Sequence, residues 1–357
     1  MSKIKNILLD VDFDGFGLVN MDSNSQRFMY NGTKKHKHLM SRHENVTYSK
    51  KVFTGSGEDL DFKIKVSSEC IRKNMFESEL ISQTANIVAN DALLYSFVGS
   101  PMAVIRGYLF ADKEETIKRS SPLNLTDAVQ TCDAMPYLET CSRSGEKTKK
   151  TDEDDAAGTT YFFKENVGEI KYSSKGAIDL QELSFVSCDN VYGRFGFNPD
   201  KFSLLKQFMS LRMENFNSEL GYHQLKTSII DIPEYGFIFS NENKKFLVKE
   251  ILMKILGLDI SKKSSFFKTS GFRIKLVENP LVDTYNNKDG WITIKSEEDI
   301  DNLSIDFEDF YELVDLETAK LKRVKIEEEL KDKISEAKAK KVASIKVKTP
   351  KEAKTNG

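Results

Sequence analysis

The chain has 357 residues, of which 39% are hydrophobic and 30% are charged, a composition that supports one large or two smaller packed domains. No run of 18 apolar residues occurs, so we expect no membrane-spanning helix. Near the N-terminus, aspartates stand where a signal peptide needs an uninterrupted apolar stretch. We therefore expect a cytoplasmic protein with no membrane partner. The cysteines are far apart, which predicts free thiols; they are Cys70, Cys132, Cys141 and Cys188.

The formal net charge of −2 is an average over regions of opposite sign. Residues 333–357 contain eight lysines and two glutamates, which predicts a disordered lysine-rich tail. Residues 296–317 are acidic and predict a solvated helical surface, with a docking face for a basic partner as the alternative. Because the distribution of charge matters more than its sum, the net charge does not exclude a nucleic-acid partner.

The first apolar run, residues 4–12, predicts a buried strand that ends among alternating carboxylates, Asp10, Asp12 and Asp14. One interpretation is a metal-dependent phosphohydrolase or nuclease, since haloacid-dehalogenase-type phosphatases carry two such aspartates on Mg²⁺ after a strand. Asp14, however, stands where that motif has threonine or valine. The favoured interpretation is a strand end followed by a tight turn at Gly15.

Residues 31–51 hold three of the four histidines among several cations, without apolar periodicity, and predict a surface loop or extended ribbon. Cations and imidazoles suit the backbone and splayed bases of a single-stranded nucleic acid. The candidate contacts are His36, Lys37, His38 and Arg42. The alternatives are a solvated basic loop and a metal site, although no cysteine or acidic partner completes such a site.

Residues 61–80 predict a strand, a serine pair and a helix. Ser67 and Ser68 are favourable N-cap residues, and a helix N-terminus attracts anions. Arg72 and Lys73 add two cations to the first turns, so the stretch predicts a phosphate contact. The alternative is an ordinary capped helix with a solvated basic turn. The helix is predicted to continue over residues 75–96.

The middle of the chain predicts a projecting arm. Residues 102–110 predict a strand, and Arg119 follows in polar sequence before a turn. Residues 142–160 have almost no apolar side chain and predict a mobile loop. Residues 161–172 predict the strand that carries this loop.

Residues 190–200 alternate glycines with aromatic and basic residues, after a strand predicted at 181–187. Arg194 and Phe195 suit stacking on bases, and a glycine-bent strand with core aromatics is the alternative. Helices are also predicted from residue 199 to 216 and at 242–256, with strands at 225–232, 236–240, 272–277 and 291–294.

Three segments carry a family resemblance: residues 66–74 (VSSECIRKN), 117–130 (IKRSSPLNLTDAVQ) and 191–197 (VYGRFGF). With the order of elements, they resemble the crRNA-binding backbone subunit of the class 1 CRISPR Cascade complex, the Cas-seven type of the RAMP superfamily. The variant type I-F form is the nearest resemblance and type IV is the second. Serines near residue 68 replace the glycine-rich loop of many members.

The resemblance implies an α+β fold with an RRM-like (ferredoxin-like) palm over residues 1–105 and 172–300. A thumb/finger β-arm would be inserted over residues 106–171. Residues 301–332 are expected to form a C-terminal helix that precedes the tail.

The resemblance also implies a non-catalytic, prokaryotic RNA-binding scaffold without a cofactor or metal. Copies would polymerise head-to-tail along the guide RNA, beside other Cascade subunits, and present its bases to target DNA in antiviral defence. Because the guide sequence varies, the contacts must be made to the RNA backbone. The predicted contacts are Ser67, Ser68, Arg72, Lys73, Arg119, Arg194 and Phe195, with the basic loop. Two alternative functions remain. One is a metal-dependent nuclease or phosphohydrolase that uses Asp10, Asp12 and Asp14, and the other is a general single-strand nucleic-acid-binding protein.

Overall fold

The structure is a computed structural model. It describes residues 3–19, 21–22, 27–31, 34–40, 46–54, 61–76, 90–111, 116–144, 159–190, 193–226 and 232–326. Within these ranges, no helix is both long enough and apolar enough to cross a membrane.

A nine-stranded sheet forms the centre of the fold. Its middle strand β1 (Asn6–Phe16) pairs antiparallel along its whole length with β14 (Glu169–Asp179) and β20 (Ser265–Val277). The other strands are β6 (Lys51–Thr54), β7 (Asp61–Val66), β10 (Leu123–Leu125), β11 (Ala128–Gln130), β19 (Asp259–Lys262) and β21 (Trp291–Ile294). The order is β19-β20-β1-β14-β11-β7-β6, with β10 on β14 and β21 on β20.

The two faces of β1 differ because side chains alternate along a strand. Leu9, Val11 and Phe13 are buried in the core, whereas Asp12 on the opposite face is exposed. The prediction of a strand end and a turn at Gly15 is wrong, since β1 continues to Phe16 with partners on both sides.

The chain leaves β1 at Gly17, where φ is +65°. A Cβ atom there would lie 2.8 Å from the Ser264 carbonyl oxygen. Both the left-handed backbone and this close approach require glycine.

Helices cover the apolar side of the sheet. The longest, α6 (Asn241–Leu256), packs on β20, and α1 (Ser68–Phe76) packs against α6 and α3 (Pro101–Arg106). The other helices are α2 (Asp91–Val98), α4 (Leu180–Ser184), α5 (Phe202–Ser210), α7 (Glu297–Asp301) and α8 (residues 316–326).

A second, five-stranded sheet has the order β16-β15-β18-β17-β22, where the strands are β15 (Phe185–Asp189), β16 (Arg194–Phe195), β17 (Gly221–Leu225), β18 (Glu234–Ile238) and β22 (Tyr311–Val314). Aromatic contacts support it, with the ring centroids of Phe197 and Phe237 5.6 Å apart. One cluster of buried apolar side chains joins the two sheets, so they share a core.

Ribbons outside these sheets include the predicted arm. Strands β12 (Tyr137–Ser144) and β13 (Thr159–Asn166) pair antiparallel, and β13 also pairs with β5 (Val46–Ser49), which contacts β2 (Met21–Asp22). Two more ribbons are β3 (Arg27–Asn31) with β4 (Lys34–Met40), and β8 (Tyr108–Ala111) with β9 (Thr116–Arg119). Residues 145–158 of the predicted mobile loop and the whole tail 333–357 lie outside the described residues.

Several predicted elements differ from the structure. The helix predicted over residues 75–96 is interrupted at Asn90, which is extended and caps the separate helix α2. The helix predicted from residue 199 to 216 ends at Ser210 as α5, and β17 ends at Leu225, where the strand predicted at 225–232 should begin.

The strand predicted at 102–110 is α3 followed by β8, because the Ser100 hydroxyl accepts a hydrogen bond from the Ala103 N–H (3.1 Å) and Pro101 begins the helix. The strand predicted at 181–187 begins as α4, capped by Asp179. The C-terminal helix begins at residue 316 and not at 301, since β22 lies between.

The mixed helix-and-sheet class predicted from the sequence is confirmed, and so are several individual elements. Strand β21 and helix α6, which ends at Gly257, lie where the sequence predicts them.

Truncating the centre of β1 should destabilise the whole fold. Leu9 is 0% exposed, so Leu9→Ala should lower the free energy of unfolding by about 2–5 kcal/mol through lost burial and a cavity. The exposed neighbour Asp12→Ala should change it by less than about 0.5 kcal/mol. Urea unfolding measures both variants, and equal effects would contradict the two-faced description of β1.

Candidate nucleic-acid interface

The N-terminus of α1 already holds an anion that belongs to the chain itself. The Ser67 hydroxyl accepts a hydrogen bond from the Cys70 N–H (3.4 Å), as expected of a cap. The Ser68 N–H donates to the Asp127 carboxylate (2.9 Å), whose other oxygen accepts from Lys65 Nζ (2.7 Å). Asp127 therefore occupies the position that the sequence predicts for a phosphate, and RNA contacts by Ser67 and Ser68 stay a prediction.

The pKa of Asp127 reflects this placement. Partial burial alone would raise the pKa, but the hydrogen bonds from Lys65 and Ser68 hold it below its ordinary value. The carboxylate is thus charged at neutral pH and neutralises Lys65.

The two predicted cations of α1 lie in different environments. Arg72 is half-buried, and its guanidinium donates to the Arg106 carbonyl at the end of α3 (2.9 Å). Burial, and then the positive charge of Arg106, lower the pKa of Arg72. Lys73 is exposed. Both side chains keep donors that are available to an anion.

Arg119 lies in the interior. It is 7% exposed, and its guanidinium donates to three carbonyl oxygens, those of Val104 (3.3 Å), Phe185 (2.7 Å) and Glu182 (2.7 Å). The side chain thereby joins α3, α4 and β15, which is a structural function. The RNA contact predicted for Arg119 stays a prediction.

Arg194 is also compensated by the protein. Its guanidinium contacts the carboxylates of Glu182 (3.3 Å) and Glu234. Burial alone would lower the pKa of Arg194, but the negative charges, Glu234 foremost, raise it. Glu234 is 4% exposed, and burial raises its pKa in spite of Arg194. Phe195 is half-buried and packs against the core, so its predicted base stacking also stays a prediction.

The structure brings the three segments of the family resemblance together. Ser68 of the first segment contacts Asp127 of the second. Arg119 of the second and Arg194 of the third both contact Glu182, one through its carbonyl and one through its carboxylate. A Cβ atom on Gly193 would lie 3.4 Å from Lys118 Nζ. The segments thus form one continuous region, which we call the segment junction.

Four cations in or beside the segment junction have no carboxylate partner among the described residues. Lys73 and Lys118 are exposed, and Arg72 and Arg106 are half-buried. Sequence reasoning assigned no function to Lys118 or Arg106, although both lie in or beside the segments. A usable signal existed for Arg106, since Ser100 before Pro101 is typical of a helix start that would place Arg106 at a helix end.

The structure describes only part of the predicted basic loop, residues 31–51. His36, Lys37 and His38 lie on β4, which pairs with β3 in a ribbon, as the extended interpretation predicted. Arg42 lies outside the described residues. Their nucleic-acid contacts stay a prediction.

The three aspartates of β1 lie within a sheet and not at a strand end. The Asp10 carboxylate accepts two hydrogen bonds from the Arg273 guanidinium (2.6 and 3.0 Å). Residues four apart along a strand are roughly 13 Å from one another, so Asp10 and Asp14 are too far apart for all three aspartates to share one cation. No group of three or more potential metal ligands occurs among the described residues.

Arg119 and Lys118 are adjacent in sequence and should have opposite mutant phenotypes. Arg119→Lys should lower the free energy of unfolding by about 2 kcal/mol or more, since buried carbonyls lose charged donors. Lys118→Gln should change it by less than about 0.5 kcal/mol but should weaken RNA binding. Urea unfolding and filter binding measure the two effects. An Arg119→Lys protein of unchanged stability would contradict the interior assignment.

Comparison with known proteins gives one family match. The model of the family described as "Type I-Fv CRISPR-associated protein Cas7fv-like" matches residues 3–311. Comparison with curated proteins finds no significant sequence match.

Two solved structures are among those similar to this chain. One is titled "CRISPR RNA-guided surveillance complex" (8% identity, TM-score 0.32, covering 79% of this chain and 78% of that one). The other is titled "CRISPR RNA-guided surveillance complex, pre-nicking" (9% identity, TM-score 0.34, covering 75% of each). Since the family match spans most of the sequence, the chain belongs to the Cas7fv-like family of type I-Fv CRISPR-associated proteins, as its resemblance predicted.

Proposed function

We propose that this chain holds the phosphates of guide RNA at the segment junction and performs no chemistry. As a member of its family, it is an RNA-binding backbone subunit of Cascade, which assembles with guide RNA, further copies of itself and other Cascade subunits. We further propose that the RNA contact lies at the segment junction and is made by the cations there that have no carboxylate partner among the described residues.

One observation carries the proposal: the three separate segments converge on a region where Arg72, Lys73, Arg106 and Lys118 have no carboxylate partner among the residues that the structure describes. An uncompensated cation at a surface attracts phosphate, whereas one that is already paired must first lose its carboxylate. Arg194 belongs to the second class, and Arg119 is buried with its donors on backbone carbonyls, so both shape the region from within. Lys73 and Lys118 are exposed and replace them as the proposed contacts.

Backbone contacts of this kind fit the required indifference to sequence. Lysine and arginine bind phosphates whatever base is attached, so the bases stay available for pairing with target DNA. The basic β4 ribbon, with His36, Lys37 and His38, is a second proposed contact surface along the same RNA.

Strand order supports an RRM-like palm. Strands β20-β1-β14-β11 are neighbours, with α1 and α3 between β1 and β11 in sequence, and α6 between β14 and β20. This is the β-α-β-β-α-β order of a ferredoxin-like unit. Because β10 and β11 pair in the main sheet, we propose an arm limited to β12 and β13, which is narrower than residues 106–171.

Removing one exposed cation should weaken RNA binding without regard to the guide sequence. Lys73→Gln should raise the Kd for two unrelated guide RNAs by the same factor. It should also reduce the slope of log Kd against log salt by about 0.7, the value for one single-strand phosphate contact. The matched control is Lys288→Gln, an exposed lysine in the loop between β20 and β21, which should behave as wild type. A change for one guide but not the other would refute backbone recognition.

Assembly should depend on the acidic segment before β22. The backbone of residues 306–308 pairs with Ile4, and Asp306 is exposed beside half-buried Glu308. We propose that these carboxylates face basic residues of the next copy. Reversing both charges (Asp306→Lys with Glu308→Lys) should therefore reduce the number of chains on each RNA.

The control for assembly reverses two other exposed carboxylates, Glu214→Lys with Glu219→Lys. Native mass spectrometry counts chains per RNA in both proteins. Wild-type counts in the Asp306/Glu308 variant would exclude this interface.

A further inference from the structure

We propose that Arg72 and Arg106 together form one anion site, which takes a single phosphodiester of the RNA. Arg106 is a new binding residue, and the inference rests on the proposed function for the identity of its ligand. The anion site itself depends only on the positions and charges of the two side chains.

The geometry brings the Arg72 guanidinium to the end of α3, at the residue that carries the second guanidinium, Arg106. Arg72 projects from α1, and its Nη2 donates to the carbonyl oxygen of Arg106 (2.9 Å). Arg106 is the last residue of α3, which Gly107 closes with φ +76°. The Arg72 side chain is thus fixed by its own hydrogen bond, while the Arg106 side chain makes no hydrogen bond or ion pair within the described part of the chain.

The charge in this place is unbalanced. Both guanidinium groups are positively charged, and the charge of Arg106 lowers the pKa of Arg72 in addition to the effect of burial. A helix C-terminus offers only about half a negative charge, so α3 offsets part of two positive charges. Glu69, which is exposed one turn earlier on α1, has only a minor opposing effect.

An anion between the two groups removes this imbalance. A phosphodiester has two charged oxygens, and arginine presents paired N–H donors that match such oxygens. Because Arg72 is already held in place, little side-chain entropy is lost when the anion binds. Two arginines that share one phosphate also explain why neither has a carboxylate partner in the described part of the chain.

The position of the site fits an RNA path across the segment junction. The Ser121 hydroxyl of the second segment donates to the carbonyl of Ile105, next to Arg106 (2.9 Å). Exposed Ser120 and Lys118 precede Ser121 on the same stretch of chain. The proposed phosphate site therefore connects two of the segments. Arg72 is followed in the chain by Lys73 of the first segment, and Arg106 lies next to the contact with Ser121 of the second segment.

The test compares Arg106→Gln, Arg106→Lys, Arg72→Gln and the Arg72→Gln/Arg106→Gln double variant, with Lys288→Gln as the control. Single-stranded RNA is titrated at several salt concentrations. Arg106→Gln should raise the Kd about tenfold or more and reduce the salt slope by about 0.7. Arg106→Lys should lie between it and wild type, since the charge remains but the paired donors are lost.

The double variant decides whether the two arginines share one phosphate. Its Kd should rise far less than the product of the single effects, because either single change already disrupts the shared contact. Multiplicative effects would mean two independent contacts and would overturn the shared site, as would wild-type affinity in Arg106→Gln. Folding is checked by thermal unfolding, where Arg106→Gln should match wild type.

A second probe separates the site from its proposed ligand. Inorganic phosphate added to RNA-free protein should raise the Tm of wild type, and Arg106→Gln should lose that increase. If wild type shows this response but binds no RNA, the anion site stands and the proposed function fails. If RNA binds normally to Arg106→Gln and phosphate has no effect on wild type, the site fails and the proposed function stands.

Discussion

The whole structure depends on the double pairing of β1. Eleven residues of this strand pair with β14 on one side and β20 on the other, so distant parts of the chain meet in its register. Its apolar face supports α1, α3 and α6 through the shared core. This packing puts the start of α1 and the end of α3 beside the second resemblance segment. The region that we propose for RNA contact is thus a consequence of how one buried strand organises the rest.

Charge compensation then divides the cations of that region into two groups. Arg119 binds backbone carbonyls and Arg194 binds two carboxylates, so their charges hold the fold together. The Asp127 carboxylate likewise accepts hydrogen bonds from Lys65 Nζ and from the Ser68 N–H at the α1 N-terminus. The remaining cations, Arg72, Lys73, Arg106 and Lys118, have no such partner within the described residues. An extended polyanion is the ligand that best matches several uncompensated cations spread along one surface.

The sequence was most informative where a pattern has a single physical cause. The apolar run of β1, the apolar pattern of α6 and the three resemblance segments predicted the mixed helix-and-sheet class and the family, and both are confirmed. It was least informative where tertiary partners decide the outcome: Arg119 and Lys118 are adjacent and both basic, yet one is buried and one exposed. No local pattern shows that Asp127 fills the α1 N-terminus, because that contact joins residues 59 positions apart. Alternating aspartates such as Asp10, Asp12 and Asp14 are compatible both with one face of a sheet and with the end of a strand. In the structure they lie on one face of the sheet, within β1.

The most direct test of the central claim is the composition of the purified particle. The full chain is expressed with a guide RNA, purified, and analysed by its absorbance at 260 nm and on a denaturing gel. A backbone-coating subunit should retain RNA of defined length, with several chains per RNA, and the same ratio should hold for unrelated guides of equal length. An RNA-free monomer, or retention that depends on the guide sequence, would contradict the account.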